Sequence, residues 1–241
     1  MSENKPILVF IEGNISSGKS TTCTQLSEYL KANNGVLNGR KCVIIHEPVD
    51  VWTDVGLLQN FYADKKRWAY TFQSMAYITK MMLLDNLEPG VIYICERSPY
   101  VDATCFGSLC YDNGDMNDSE WKIYNFWWSH YMKNFETKND IRFIYLKTDT
   151  ALCLERIQSR NRSEELGIPL EYLNALDKKH DEWLNDPNML HYVLRLNGCD
   201  STKDIVRQII YSNITTCLNG CESSKDIVSP ILNSNITYIK N

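Results

Sequence analysis

The chain lacks any apolar run near the roughly 18 residues that a membrane-spanning helix needs, and its N-terminus lacks the apolar segment of a signal peptide. Its nine cysteines are an odd number and none has C-x-x-C spacing, which disfavours a disulfide framework or a zinc knuckle. Positive charge is not in excess, since the net charge is −5, whereas nucleic-acid binding uses clustered Lys and Arg. We expect a cytoplasmic protein with reduced thiols, no membrane contact, no nucleic-acid partner and small-molecule ligands.

The apolar pattern predicts an α/β domain. Short runs rich in β-branched residues predict buried parallel strands at residues 6–11, 41–45, 91–95, 141–146 and 191–196. Helical spacing predicts helices at residues 19–32, 67–84, 119–135, 149–161 and 169–185. Their alternation predicts a five-stranded parallel sheet flanked by helices, and 241 residues suit one such domain.

The C-terminal part contains an internal duplication. Residues 196–215 recur as residues 218–237, with 14 of 20 positions identical. The second copy has Pro230 where the first has Gln208, and proline in a helix interior clashes and removes a hydrogen bond. We therefore expect a catalytic domain over residues 1–216 and a loosely attached duplicated tail over residues 217–241.

The segment GNISSGKS matches the phosphate-loop pattern G-x-x-x-x-G-K-[ST] and lies between a predicted strand and a predicted helix. Backbone N–H groups would face phosphate oxygens, Lys19 would add charge, and Ser20 would hold Mg²⁺. The predicted ATP-binding residues are Gly13, Asn14, Ile15, Ser16, Ser17, Gly18, Lys19, Ser20 and Thr21. Kinases, GTPases and ATPases share this loop, but the N-K-x-D guanine reader of GTPases is missing.

Charged residues elsewhere favour a kinase. Arg156, Arg160 and Arg162 end a predicted helix and could close over a triphosphate as a mobile lid, although a solvated basic face is an equally good interpretation. Glu47 and Glu96 end two predicted strands, where one could accept a proton and the other hold a metal ion. The alternative interpretation is that both are ordinary surface acids, which is the commoner case for a glutamate at a strand end.

Aromatic residues flank the same strand ends, and they would either pack in the core or form flat walls for a base. They are Trp52, Phe61, Tyr62, Trp68, Phe72 and Phe106. The polar Gln73 and Asp102 lie among them, and a buried Gln amide can read a base edge as donor and acceptor at once.

The segments GNISSGKS, EPV, RWAYTFQ, ERSPYVDATCF and RIQSRNRSEELGIPLEYLNALDKKHDEWL, within residues 6–210, resemble the deoxyribonucleoside kinases, nearest to the deoxycytidine and deoxyguanosine kinase type. The resemblance implies a P-loop kinase fold with an arginine-bearing lid. It also implies transfer of the γ-phosphoryl group of ATP, or another triphosphate, to the 5′-hydroxyl of a deoxyribonucleoside in nucleotide salvage, with Mg²⁺ and as a homodimer. A thymidylate-type monophosphate kinase and a non-catalytic nucleotide-binding homologue remain alternatives.

The resemblance also implies residue roles. Glu47 is the expected general base with Arg97 beside it, and Glu96 is the acid on the Mg²⁺ side. Lys19, Arg156, Arg160 and Arg162 would complete the catalytic set, and residues 197–203 would contact the donor base. The implied substrate contacts are Tyr62 and Glu165 for the sugar, Gln73 and Asp102 for the base edge, and Trp52, Phe72 and Phe106 as aromatic walls.

Three positions depart from the family pattern. Lys80 replaces an arginine of the base pocket, Ala103 replaces the usual arginine after Asp102, and Pro99 follows the ERS triplet. Lysine offers a point charge in place of a planar fork, so Asp102 would be oriented differently. Because thymidine-preferring relatives have apolar residues there, Asp102 and a cation at position 80 favour deoxycytidine or purine deoxynucleosides.

Overall fold

A computed structural model of the chain describes residues 5–216, and the predicted tail over residues 217–241 lies outside them. One six-stranded sheet has the strand order β2-β3-β4-β1-β5-β6. The strands are β1 (Ile7–Glu12), β2 (Val36–Leu37), β3 (Arg40–Ile45), β4 (Ile92–Glu96), β5 (Asp140–Lys147) and β6 (Val193–Asn197).

The predicted count of five strands is wrong by one. The five predicted strands correspond to β1, β3, β4, β5 and β6, whose pairings with one another are all parallel. The sixth strand, β2, has two residues and pairs antiparallel with β3 at the edge of the sheet. Two residues are too few to produce a recognisable alternation, so the sequence pattern did not indicate this strand.

The five long predicted helices are present with ends shifted by at most three residues, and the first of them matches its prediction at both ends. The helices are α1 (Lys19–Ala32), α2 (Val49–Asp54), α3 (Leu57–Ala63), α4 (Lys65–Leu83), α5 (Pro99–Val101), α6 (Ser108–Asp112), α7 (Asp118–Lys138), α8 (Thr150–Arg160), α9 (Leu170–Leu184) and α10 (Thr202–Tyr211). A π-helical turn, Asp102–Gly107, joins α5 to α6, and 3₁₀ turns span Pro187–Met189 and Asn213–Thr215. Among residues 5–216, no helix combines the length and apolar character needed to cross a bilayer.

Helices cover both faces of the sheet. Residues of α1 and α10 pack on one face with β1, whose six residues are all buried, while α7 and α9 pack on the other. A third apolar cluster joins α2, α3 and α4 beside the sheet. Since β1, β3 and β4 are parallel, their carboxyl ends share one edge, and the loops that follow them meet there.

Candidate active site

The phosphate loop follows β1 and leads into α1, as predicted. Gly13 has a φ of 146°, and a Cβ at this position would lie 2.6 Å from the Leu146 carbonyl oxygen, so a side chain cannot be accommodated. The buried Lys19 Nζ donates to the carbonyl oxygens of Gly13 at 3.1 Å and Asn14 at 2.6 Å. Burial, with the nearby charge of Arg97, lowers the pKa of Lys19 to about 7. A bound phosphate would give this ammonium a charged partner.

A cavity of about 690 Å³ opens at this edge of the sheet. Every individually predicted site residue except Gly13, Asn14 and Trp68 lines it, and Trp68 packs against the third apolar cluster instead. Asn14 has another task, because its Nδ2 donates to the Leu173 carbonyl at 2.8 Å and its Oδ1 accepts from the Ile15 N–H at 2.9 Å. The Asn14 side chain therefore stabilises the conformation of the phosphate loop.

Glu47 lines the cavity and lies between two cations. Its carboxylate is 3.2 Å from Lys80 Nζ and 3.3 Å from Arg97 Nε. Burial alone would raise the pKa of Glu47, but Lys80, Arg97 and Lys19 hold it below its ordinary value. Glu47 is thus ionised at neutral pH and able to accept a proton.

Lys80 joins Glu47 to the base-reading end of the cavity. Its Nζ also donates to Asp102 Oδ1 at 2.6 Å, so one ammonium serves two buried carboxylates. Burial raises the pKa of Asp102 to about 6, although Lys80 opposes the change. The second oxygen of Asp102 and both polar atoms of the Gln73 amide have no hydrogen-bond partner among residues 5–216. These atoms remain available to a base edge.

Aromatic rings enclose the same end. Phe61 stacks on Phe72 at 4.6 Å between ring centroids, and Trp52 meets Phe72 edge-on at 5.6 Å. Phe106 lies under the Arg97 guanidinium at 4.9 Å. For these four aromatic residues the two interpretations are compatible, because the rings belong to or contact the apolar clusters and also line the cavity.

At the phosphate end, Ser20 donates its hydroxyl hydrogen to Glu96 Oε1, and the other Glu96 oxygen is 3.5 Å from His46 Nδ1. A hydroxyl and a carboxylate beside a phosphate loop are the hard oxygen ligands that Mg²⁺ prefers. The donor chemistry of Ser20 and Glu96 therefore fits this ion.

The predicted lid arginines point into the cavity and have internal partners. Arg160 and Arg162 both pair with the buried Glu165, the latter at 2.9 Å. Arg156 donates to the carbonyl oxygens of Ser16 and Gly198 at 3.4–3.5 Å. The contact with Gly198 brings the predicted donor-base segment, residues 197–203, against the phosphate loop.

The sequence reasoning missed Glu12, the last residue of β1. Glu12 is fully buried, and its Oε1 accepts from the Ser98 backbone N–H at 2.7 Å, while Oε2 has no partner among the described residues. Burial raises the pKa of Glu12 to about 7, against the charge of Arg97. An acid inside an otherwise apolar strand, directly before the phosphate loop, was the available signal.

The raised pKa of Glu12 predicts a pH-dependent stability difference in the Glu12→Gln variant. The folded chain binds the Glu12 proton more tightly than the unfolded chain, so this stabilisation is complete below pH 4.5 and is lost as pH rises through 7. The stability of the variant relative to wild type should therefore increase by roughly 3 kcal/mol from pH 4.5 to pH 8. Urea unfolding followed by tryptophan fluorescence measures both proteins, and parallel pH curves would contradict the assignment.

The phosphate loop, the carboxylate between two cations and the arginines over one cavity define a P-loop phosphotransferase.

The Deoxynucleoside kinase family model matches residues 9–231. A fowlpox virus protein, named as a probable deoxycytidine kinase, is 39% identical over 214 residues, 86% of each chain. Deoxycytidine kinase 2 of Gallus gallus is 33% identical over 208 residues, 75% of each chain. Human mitochondrial thymidine kinase 2 is 32% identical over 187 residues, 76% of this chain and 66% of its own.

The chain belongs to the deoxynucleoside kinase family, as the sequence resemblance predicted. It is an ATP-dependent nucleoside kinase, a transferase that acts on small-molecule substrates.

Proposed function

We propose that the protein phosphorylates the 5′-hydroxyl of deoxycytidine, with ATP as the donor. The observation that carries this proposal is the position of Glu47, an ionised carboxylate that lines one cavity together with the phosphate loop and the Gln73 amide. In our scheme Glu47 accepts the proton of the attacking hydroxyl, and Arg97 keeps its carboxylate aimed into the cavity.

The other charged groups would act on the phosphates and the sugar. Lys19 and the N-terminus of α1 would hold the phosphate oxygens, and Arg156, Arg160 and Arg162 would neutralise charge that develops during transfer. Tyr62 and Glu165, which line the same cavity, would hold the sugar hydroxyl. Mg²⁺ bound by Ser20 and Glu96 would supply charge neutralisation between donor phosphates.

The unpartnered polar atoms favour a base with an exocyclic amine. Asp102 Oδ2 can only accept a hydrogen bond when ionised, whereas the Gln73 amide offers a donor and an acceptor. Cytosine presents an amino donor beside a ring acceptor, and adenine presents the same pair, while thymine presents a carbonyl oxygen that would face the Asp102 carboxylate. The names of the fowlpox virus and chicken relatives also favour deoxycytidine.

A radiolabelled phosphorylation panel over the four deoxynucleosides and their monophosphates tests this function. We expect kcat/KM for deoxycytidine to exceed that for thymidine by about 5- to 150-fold, the effect of one unsatisfied buried polar group. Preference for a monophosphate acceptor would favour a monophosphate kinase, and ATP binding without product would favour a non-catalytic homologue. Repetition with the chain truncated after Cys217 tests the proposed domain boundary, for which unchanged rates are expected.

We also propose a cytoplasmic location and a homodimer. The seven cysteines of the described residues are free, as a reducing compartment requires. For the dimer, neighbouring helices α4 and α7, linked by the Tyr77–Trp127 ring contact at 4.8 Å, share a group of exposed apolar side chains. These side chains are Ile78, Met82, Leu83, Ile123, Phe126 and Tyr131. A second copy of the same face would bury them.

Phe126→Glu should therefore convert the dimer to a monomer. Phe126 is 79% exposed in the single chain, and a symmetric interface would place two introduced carboxylates close together in an apolar contact. We expect dimer affinity to fall by at least about 10²-fold, measured by size-exclusion chromatography with light scattering. Tyr211→Glu, at an equally exposed aromatic residue on α10, is the matched control. Dimerisation that both variants retain would rule out this face.

A further inference from the structure

Three potential metal ligands from three elements meet beside the phosphate end of the cavity. They are Cys23 on α1, His46 directly after β3, and Glu96 at the end of β4. The Cys23 sulfur, a His46 ring nitrogen and a Glu96 carboxylate oxygen all lie within 4.8 Å of one another. Across residues 5–216, no other set of three His, Cys, Asp or Glu side chains is grouped so closely.

These donor types differ from those that Mg²⁺ selects. Zn²⁺ takes thiolate, imidazole and carboxylate together in a tetrahedral shell, whereas Mg²⁺ takes oxygen ligands in an octahedral one. Glu96 is common to both sets, but Cys23 and His46 provide sulfur and nitrogen that only the softer ion would use. The fourth zinc ligand would be the Ser20 hydroxyl, which already contacts Glu96, or a water molecule.

The elements that carry the ligands allow a small contraction around an ion. Bond lengths of about 2.0–2.3 Å require the three donor atoms to move closer by roughly 1 Å. Cys23 and Glu96 are buried on regular elements, while the His46 side chain is 49% exposed in the segment between β3 and α2. Because His46 Nδ1 is already 3.5 Å from a Glu96 oxygen, the contraction falls on the two distances from the Cys23 sulfur, and rotation of the imidazole ring can shorten the one to His46.

A plainer interpretation accounts for the residues one at a time. His46 would form an ordinary ion pair with Glu96 at 3.5 Å, and Cys23 would be a core thiol among the apolar side chains of α1 and the sheet. This interpretation predicts that the wild-type chain and a His46 variant have the same affinity for a thiophilic ion.

We propose that Cys23, His46 and Glu96 bind one thiophilic divalent cation of the zinc class and that its binding inhibits the kinase. As the ion binds, the Cys23 S–H proton passes to solvent, a sulfur–zinc bond forms, and His46 donates a nitrogen lone pair, with no change in oxidation state. The bound ion then has the Glu96 carboxylate as a ligand, so Glu96 can no longer bind Mg²⁺. The inhibitory part rests on the proposed function, but the binding part does not.

Binding is tested first on the full chain, stripped of metal and without nucleotide or Mg²⁺. Zn²⁺ is titrated against a chromophoric chelator, and Co²⁺ serves as a spectroscopic probe of thiolate ligation. We expect one ion per chain and a thiolate-to-cobalt charge-transfer band that Cys23→Val lacks.

His46→Gln, at a half-exposed site that folding should tolerate, should weaken Zn²⁺ affinity by about tenfold or more. His191→Gln, at an exposed histidine, is the matched control. Equal affinity in wild type and His46→Gln would overturn the site.

Inhibition is tested separately with ATP, excess Mg²⁺ and increasing Zn²⁺, each variant being compared with its own zinc-free rate. Zinc–ATP complexes form equally in every reaction, so only the difference between variants reports on the site. The half-inhibiting zinc concentration should be about tenfold higher for His46→Gln than for wild type. Identical inhibition curves would disprove the regulatory part. A chain that binds zinc but phosphorylates no nucleoside would contradict the proposed function and leave the metal site standing.

Discussion

Replacement of Glu47 by Gln is expected to lower the rate of phosphoryl transfer by about 10²–10⁴-fold, the usual contribution of a positioned general base. Glutamine keeps the shape of the side chain, and its single amide oxygen can accept a hydrogen bond from one of Lys80 and Arg97, but it cannot take the proton of the attacking hydroxyl. The KM for the nucleoside should change by only a few-fold, because the base-reading atoms are untouched. Single-turnover measurements separate the chemical step from product release.

Glu164→Gln is the matched control for this experiment. Glu164 is exposed and bonds to the neighbouring Ser163 hydroxyl, so loss of its charge should leave the transfer rate unchanged. A Glu47→Gln rate within tenfold of wild type would remove Glu47 from the role of base. An equal loss in both variants would point to a general effect of charge near the lid.

Lys80→Met should lower the free energy of unfolding by about 3–5 kcal/mol at pH 8, because it leaves two buried carboxylates with only part of their compensation. Lys80 Nζ is 2.6 Å from Asp102 and 3.2 Å from Glu47, and Arg97 would remain as the second partner of Glu47 alone. Urea unfolding, followed by the fluorescence of the chain's tryptophans, gives the difference directly.

The loss should depend on pH in a defined direction. The folded pKa of Asp102 is raised to about 6 from 3.8, so its protonated form is stabilised by folding, and this stabilisation is lost as pH rises through 6. Without Lys80 the folded pKa of Asp102 would rise further, and the difference between the variant and wild type should shrink toward pH 4. Lys80→Arg, which keeps the charge, is the control. A pH-independent loss would show that Lys80 contributes by packing alone.

The sheet and the long helices could be predicted because they have strong local signals. The first five residues of β1 are an uninterrupted apolar run, and α9 repeats apolar residues at helical spacing. The short helices α2 and α3 were not predicted, since six or seven residues hold fewer than two turns of any periodicity. Their side chains Trp52 and Phe61 are ordered by packing on Phe72 of α4, a contact that local sequence does not encode.

The sequence predicted which residues form the site but not how their side chains contact one another. The phosphate-loop motif and the family resemblance indicated Lys19, Glu47 and Asp102, and each of them lines the cavity. The bridge that Lys80 makes between Glu47 and Asp102 depends on how α4 packs beside the strand ends, so no spacing rule reveals it. Glu12 was missed because it directly follows the apolar run of β1, beyond the predicted strand, and has no motif of its own.

The pairing of Glu165 with Arg160 and Arg162 has a consequence for the order of events in a reaction cycle. In the proposed function the arginines bind the triphosphate and Glu165 binds the sugar, but in the structure they pair with each other. The arginines must therefore leave Glu165 to reach a triphosphate, and a sugar must displace the arginines to reach Glu165. Each substrate would thereby release the partner that the other needs. We expect synergistic binding of donor and acceptor, visible as a lower nucleoside Kd when a non-hydrolysable triphosphate is present. Glu165→Gln should abolish this synergism.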